Sequence, residues 1–136
     1  MSTLRPPILS RETRESGLVV IHLSGELDTA GTAQIEPAFV VALPDRTVSA
    51  LVDMSGVPFL TSRALAMLVV RAQAMKKAGG KLCLAALSPI VADVFERAGF
   101  SSLFTIYPTV DAALAELERK KPRARKPRKT GRLDFS

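Results

Sequence analysis

The spacing of apolar residues changes several times along the chain, and each change marks an element. Residues 18–24, LVVIHLS, are rich in β-branched side chains and follow the turn signal Glu15-Ser16-Gly17. They predict a strand paired as a hairpin with the stretch near residues 9–14. After Gly25-Glu26-Leu27-Asp28, Ile35, Ala38, Phe39 and Ala42 fall on one face of a helix that starts at Thr29 or Thr32 and ends near Leu43. Pro37 lacks a backbone donor and is expected to kink or delay that helix. Residues 50–54, ALVDM, form a second short apolar run, followed by the loop SGVPFL. Leu65, Leu68, Val69, Ala72 and Met75 then predict a helix over residues 62–78, which Gly79-Gly80 stops. Residues 81–86 read as a buried strand, and Ser88-Pro89 as a cap and first-turn proline of a helix with Val91, Val94 and Phe95 on its apolar side up to Gly99. A strand near residues 103–106 and a helix from Val110 to about Glu118 complete the order.

Strands alternating with one-striped helices imply an α/β chain, a sheet with helices packed on it. A length of 136 residues, 47% of them hydrophobic, suits one domain with a real core. Its expected extent is residues 1–118, with residues 119–136 as a basic, disordered tail: RKKPRARKPRKTGRLDFS is proline-broken, more than half charged, and has no aromatic before Phe135.

Charge changes the picture once it is located. Nine of the 19 basic residues lie in residues 119–132, so the net +6 belongs to the tail and residues 1–118 carry −2. The tail could meet nucleic-acid phosphates, but it lacks the interleaved aromatics that stack on bases; a solvated extension is the simpler reading. The single cysteine, Cys83, excludes an internal disulfide framework and a multi-thiolate metal site, and its apolar surroundings make it a core residue. His22, the only histidine, has no second metal ligand and no serine and carboxylate in hydrolase order, so neither metal binding nor catalysis is expected of it. Without a signal peptide or an apolar stretch of about 20 residues, the expectation is a soluble cytoplasmic protein with no membrane insertion.

Gly25-Glu26-Leu27-Asp28, the run LVDMSGVPFL, Ser62, Leu65 and Leu68, Ala78-Gly79-Gly80 and Ala98-Gly99-Phe100 together resemble the STAS domain family, of the anti-sigma factor antagonist type, over about residues 8–118. The resemblance implies a mixed four- to five-stranded sheet with helices packed mainly on one face. It also implies a non-enzymatic regulator without a cofactor, which binds an anti-sigma factor. That partner is a serine kinase of the histidine-kinase-like ATPase fold; it phosphorylates the antagonist and so ends the association, and a phosphatase restores it. The phosphoacceptor falls on Ser62, with Thr61 as the second candidate, and the partner-binding face on Asp28, Ser55, Thr61, Arg63 and Leu65. The family's usual order of aspartate, phosphoacceptor, small residue and glycine reads here as Thr61, Ser62, Arg63 and Ala64. Those departures motivate an alternative, a STAS scaffold that docks without phosphorylation, as a stressosome-like subunit or the STAS component of a lipid transporter.

Simpler roles compete at each position. Ser62 or Thr61 could cap the helix, a contribution of about 1 kcal/mol. Asp28 could form a turn or cap, and Arg63 could be a solvated helix charge. Asp53 ends an apolar strand as a receiver-domain phosphoacceptor would, but the acidic pair that holds magnesium in receivers is poorly supplied by VVIHLSGELD, so a structural role is expected. Oligomeric state is left open by the sequence.

Overall fold

Pairing between the apolar runs explains why several of them lack the alternation of a half-exposed strand. The computed structural model describes residues 7–45 and 47–120, among which five strands and four helices form. β1 (Ile8–Thr13) and β2 (Val19–Ser24) make an antiparallel hairpin. β3 (Ser49–Gly56), β4 (Lys81–Ala85) and β5 (Thr105–Tyr107) add in parallel, giving a mixed sheet in the order β1-β2-β3-β4-β5. The crossovers are α1 (Thr29–Ala42), α2 (Ser62–Ala78) and α3 (Pro89–Ala98), and α4 (Val110–Lys120) follows β5.

The sheet is covered unequally. On one face Ile21, Leu23, Val52, Met54 and Leu84 pack with Phe39 of α1, Leu68 and Met75 of α2 and Phe95 of α3. On the other, Ala113 and Leu117 of α4 cover Leu18, Val20, Leu51 and Cys83. The central strands are therefore buried on both sides along much of their length, which is why they read as continuous apolar runs. Cys83 is fully buried, and loss of water pushes its thiol pKa up, as an inert core residue requires.

Local chemistry sets the boundaries. Asp28 caps α1 by accepting the Gly31 N–H at 2.7 Å, so the helix begins at Thr29, and Pro37 sits inside it without delaying its start. Ile35, Phe39 and Ala42 are buried as expected, but Ala38 is exposed and Thr32 takes a place in the seam. α2 ends where Gly79 adopts φ +96°, a conformation glycine enters without steric cost. Ser88 accepts the Val91 N–H at 3.2 Å ahead of Pro89.

Several boundaries differ from the sequence reading, β3 among them, which runs on through Ser55 and Gly56 of the expected loop. β4 stops at Ala85 because Ala86 turns to φ +62°. β5 starts at Thr105 because Leu103 closes a turn on Phe100 and Phe104 packs edge-on against Phe95, with ring centroids 5.3 Å apart. α4 runs to Lys120, two residues further than expected; the rest of the basic tail, residues 121–136, lies outside the described residues.

Candidate functional site

Two loops meet at the carboxyl ends of β2 and β3, the end of a parallel sheet at which ligands and partners are commonly received. Residues 25–28 lead from β2 into α1, and residues 57–61 lead from β3 into α2. The Gly25 N–H donates to the Gly56 carbonyl at 2.9 Å, and Leu27 and Leu60 form an isolated parallel bridge. Thr61 then donates twice to the Leu27 carbonyl, from its amide at 3.0 Å and its hydroxyl at 3.2 Å. The starts of α1 and α2 are thus held together by backbone bonds. Ser88 adds a third element, its hydroxyl donating to the Pro58 carbonyl at 3.4 Å. A side chain at position 56 would not fit, since a Cβ there would lie 2.6 Å from Ser24 Cβ.

Ser62 is the first residue of α2 and is exposed. Its hydroxyl makes no hydrogen bond among the described residues. The cap weighed as the simpler role is absent: Thr61 occupies the N-cap position, but its hydroxyl is turned to Leu27, so no side chain caps α2 and its first turn carries no acidic residue. The two hydroxyls at this junction therefore differ, one half-buried and engaged, the other open to solvent.

The remaining expected residues divide into surface and support. Asp28 is half-buried, and one carboxylate oxygen is engaged in capping α1, the structural role weighed for it. Ser55 is exposed at the end of β3. Arg63 is exposed and donates to Glu36 of α1 at 3.1 Å, so it joins the two helices on their outer side. Leu65 corrects an expectation. It is 7% exposed and belongs to the core, beneath the surface on which contact was expected, because it continues the apolar stripe with Leu68 and Ala72. Ala64, in the glycine's place, is fully buried, so its methyl adds nothing to the surface.

One constellation escaped the sequence reading. His22 lies between Asp53, 2.7 Å from Nδ1, and Glu12, 3.1 Å from Nε2. The hydrogen bond with Asp53, joined by that with Glu12, outweighs burial and raises the imidazole pKa above its ordinary 6.5. Burial pushes the Asp53 carboxyl up, but the Ser55 amide and His22 together leave it below the ordinary carboxylate value. Glu12 is lowered as well, by His22 first and Arg14 second. Alternation groups His22 with Val20 on one side of β2 and Asp53 with Leu51 on one side of β3; only the register, which pairs His22 with Asp53, brings the two together. Among the described residues no group of three His, Cys, Asp or Glu side chains forms a metal site, and no helix is long and apolar enough to cross a membrane.

Residues 10–113 match the family described as the STAS domain. A Mycobacterium tuberculosis protein named as an anti-anti-sigma factor, Rv2638, is 35% identical over 103 residues, covering 72% of this chain and 68% of that protein. The crystal structure of an anti-sigma factor antagonist from Mycobacterium paratuberculosis has a TM-score of 0.72 at 27% identity, covering 81% of this chain and 92% of the other. The Bacillus cell fate determinant SpoIIAA in its phosphorylated form shares the fold, with a TM-score of 0.61 at 21% identity over 81% of this chain and 99% of the other.

Proposed function

Because this chain belongs to the STAS domain family, we propose that it is an anti-sigma factor antagonist, a cytoplasmic protein without catalytic activity of its own, whose hold on an anti-sigma factor serine kinase ends when Ser62 is phosphorylated. The observation that carries this reading is the open Ser62 hydroxyl, exposed at the start of an uncapped helix while its neighbour Thr61 is bonded inward. A phosphoryl group adds about 1.5 to 2 negative charges at neutral pH. The helix N-terminus tolerates that charge, because its first amides have no intrahelical acceptor and the helix dipole favours an anion there. A partner pressed against the same spot would have to bury strongly hydrated oxygens, and each 1.4 kcal/mol lost weakens binding about tenfold. The antagonist's fold survives while the complex does not. Asp28, Ser55 and Arg63 frame the contact face around Ser62, and a phosphatase would return the protein to its binding form.

Incubation with the cognate anti-sigma factor and ATP, followed by peptide mass spectrometry, tests this directly. Phosphate on Ser62 is the expected result. Phosphate absent from both Ser62 and Thr61 overturns the switch.

The lack of any acidic residue at the N-cap or in the first turn of α2 favours a second reading, in which a kinase that reads an aspartate there does not act on this chain. The same face would then dock without modification, as part of a stressosome-like assembly or a lipid transporter. Co-purification separates the two: a histidine-kinase-like ATPase supports the switch, and a transporter ATPase supports the scaffold.

A further inference from the structure

The row of ionisable side chains on β1, β2 and β3 lies next to the point from which both loops of the site emerge. His22 presents Nδ1 to Asp53 Oδ2 at 2.7 Å and Nε2 to Glu12 Oε1 at 3.1 Å. A neutral imidazole has one N–H and one lone pair, and a lone pair aimed at a carboxylate repels it, so only the imidazolium makes both bonds. In that form it ties β1 to β3 across the strand between them. The other charges nearby are already paired: Arg14 lies 3.2 Å from Glu12 and 2.9 Å from Glu118 of α4. Both carboxylates facing the ring thus favour its proton, and its pKa is raised accordingly.

Asp53 also has a second bond. The register between β2 and β3 pairs His22 with Asp53 but Ser24 with Gly56, so β3 holds one extra residue there, a bulge that bends the strand. Bulge residues lose ladder partners, and here the Ser55 amide donates to Asp53 Oδ1 at 3.0 Å instead. The next residue, Gly56, accepts the Gly25 N–H at 2.9 Å. A single bulge therefore carries both loops, residues 25–28 through Gly56 and residues 57–61 through the chain itself.

We propose that Glu12, His22 and Asp53 form a proton-operated clamp on this bulge, which holds the two loops in their docking geometry while the imidazole is charged and loosens them when it is neutral. Loss of the proton leaves one N–H for two carboxylates. Either Glu12 is released and the side-chain link from β1 to β3 is lost, though the ladder to β2 stays, or Asp53 is released and the carboxylate that holds the Ser55 amide is free to turn. That the loops face a protein partner rests on the function proposed above; the clamp itself does not.

NMR on the free full-length protein tests the clamp without any partner, so its failure leaves the anti-sigma factor reading untouched. The His22 ring is titrated between about pH 5 and about pH 9, spanning the range in which histidine changes charge. Hydrogen exchange of the Gly25 and Ser55 amides is followed over the same range, corrected for its intrinsic pH dependence. The expected ring midpoint lies above the ordinary imidazole value and falls in Glu12→Gln, a substitution at an exposed position that spares the core. Exchange at Gly25 should quicken across the wild-type midpoint, and the step should shrink in Glu12→Gln, whose side-chain amide can donate to Nε2 of the neutral ring and so keep both ties. A ring midpoint at or below the ordinary value overturns the proposal, as does a raised midpoint with Gly25 and Ser55 exchange that ignores it.

Discussion

Two adjacent hydroxyls at the start of α2 have opposite surroundings, and the difference lies in one backbone bridge. Leu27 pairs with Leu60 and leaves its carbonyl open to Thr61, which supplies both an amide and a hydroxyl; Ser62, one residue on, is exposed. The sequence located this junction but could not separate its residues, because capping and exposure depend on a contact 34 residues away. Leu65 teaches the same lesson from the other side: the stripe that predicted the helix is the reason it is buried. Gly56→Ala forces a methyl into Ser24, where its Cβ would also meet Ser24 Cα at 3.1 Å and the Leu23 carbonyl at 3.2 Å. The expected cost is about 1–3 kcal/mol, as for other overpacking changes, read as an earlier urea midpoint with an unchanged slope.

Among the elements of the described residues, α4 stands apart, since there it alone covers the second face of the sheet. Besides Ala113 and Leu117, it is tied down by Glu118, which accepts from Arg14 at 2.9 and 3.2 Å and from the Ser16 hydroxyl at 3.0 Å. The hydrogen bond from Arg14 foremost holds the Glu118 pKa below its ordinary 4.5. A carboxyl lowered by folding contributes stability that is present above its unfolded pKa and is lost as pH falls through the folded one. Glu118→Gln should therefore melt a few degrees below wild type at neutral pH, with the gap closing as pH drops below about 4.5. Melting curves at several pH values check this, and a gap that persists in acid would contradict it. Helix and strand order was legible because each element follows its own hydrophobic period; that α4 takes the opposite face was not, because a single apolar stripe does not say which side of a sheet it covers. β5 was misplaced by two residues for a related reason, since apolar Leu103 and Phe104 serve the turn and the Phe95 contact, not the ladder.

For the whole molecule, the alternation of strands and helices and the paired GELD and DMSGVPFL segments were enough to read the fold, and residues 10–113 match the STAS family accordingly. Asp28 ends one loop, Ser55 lies in β3 just before the other, and Ser62 and Arg63 open α2 behind it; their role in binding a partner is the proposal made above. The Glu12, His22 and Asp53 row was invisible because it joins three strands through a register that a bulge alters. The assembled domain presents the Ser62 hydroxyl at the start of α2, open to solvent. The decisive measurement compares binding of the cognate anti-sigma factor to wild type, Ser62→Ala and Ser62→Asp, with a thermal melt of each. Wild type and Ser62→Ala should bind alike, while Ser62→Asp should bind at least about tenfold more weakly and melt no lower, because an acidic residue at a helix start is stabilising. Undiminished binding by Ser62→Asp, or a loss explained by its unfolding, would contradict a charge switch at this site.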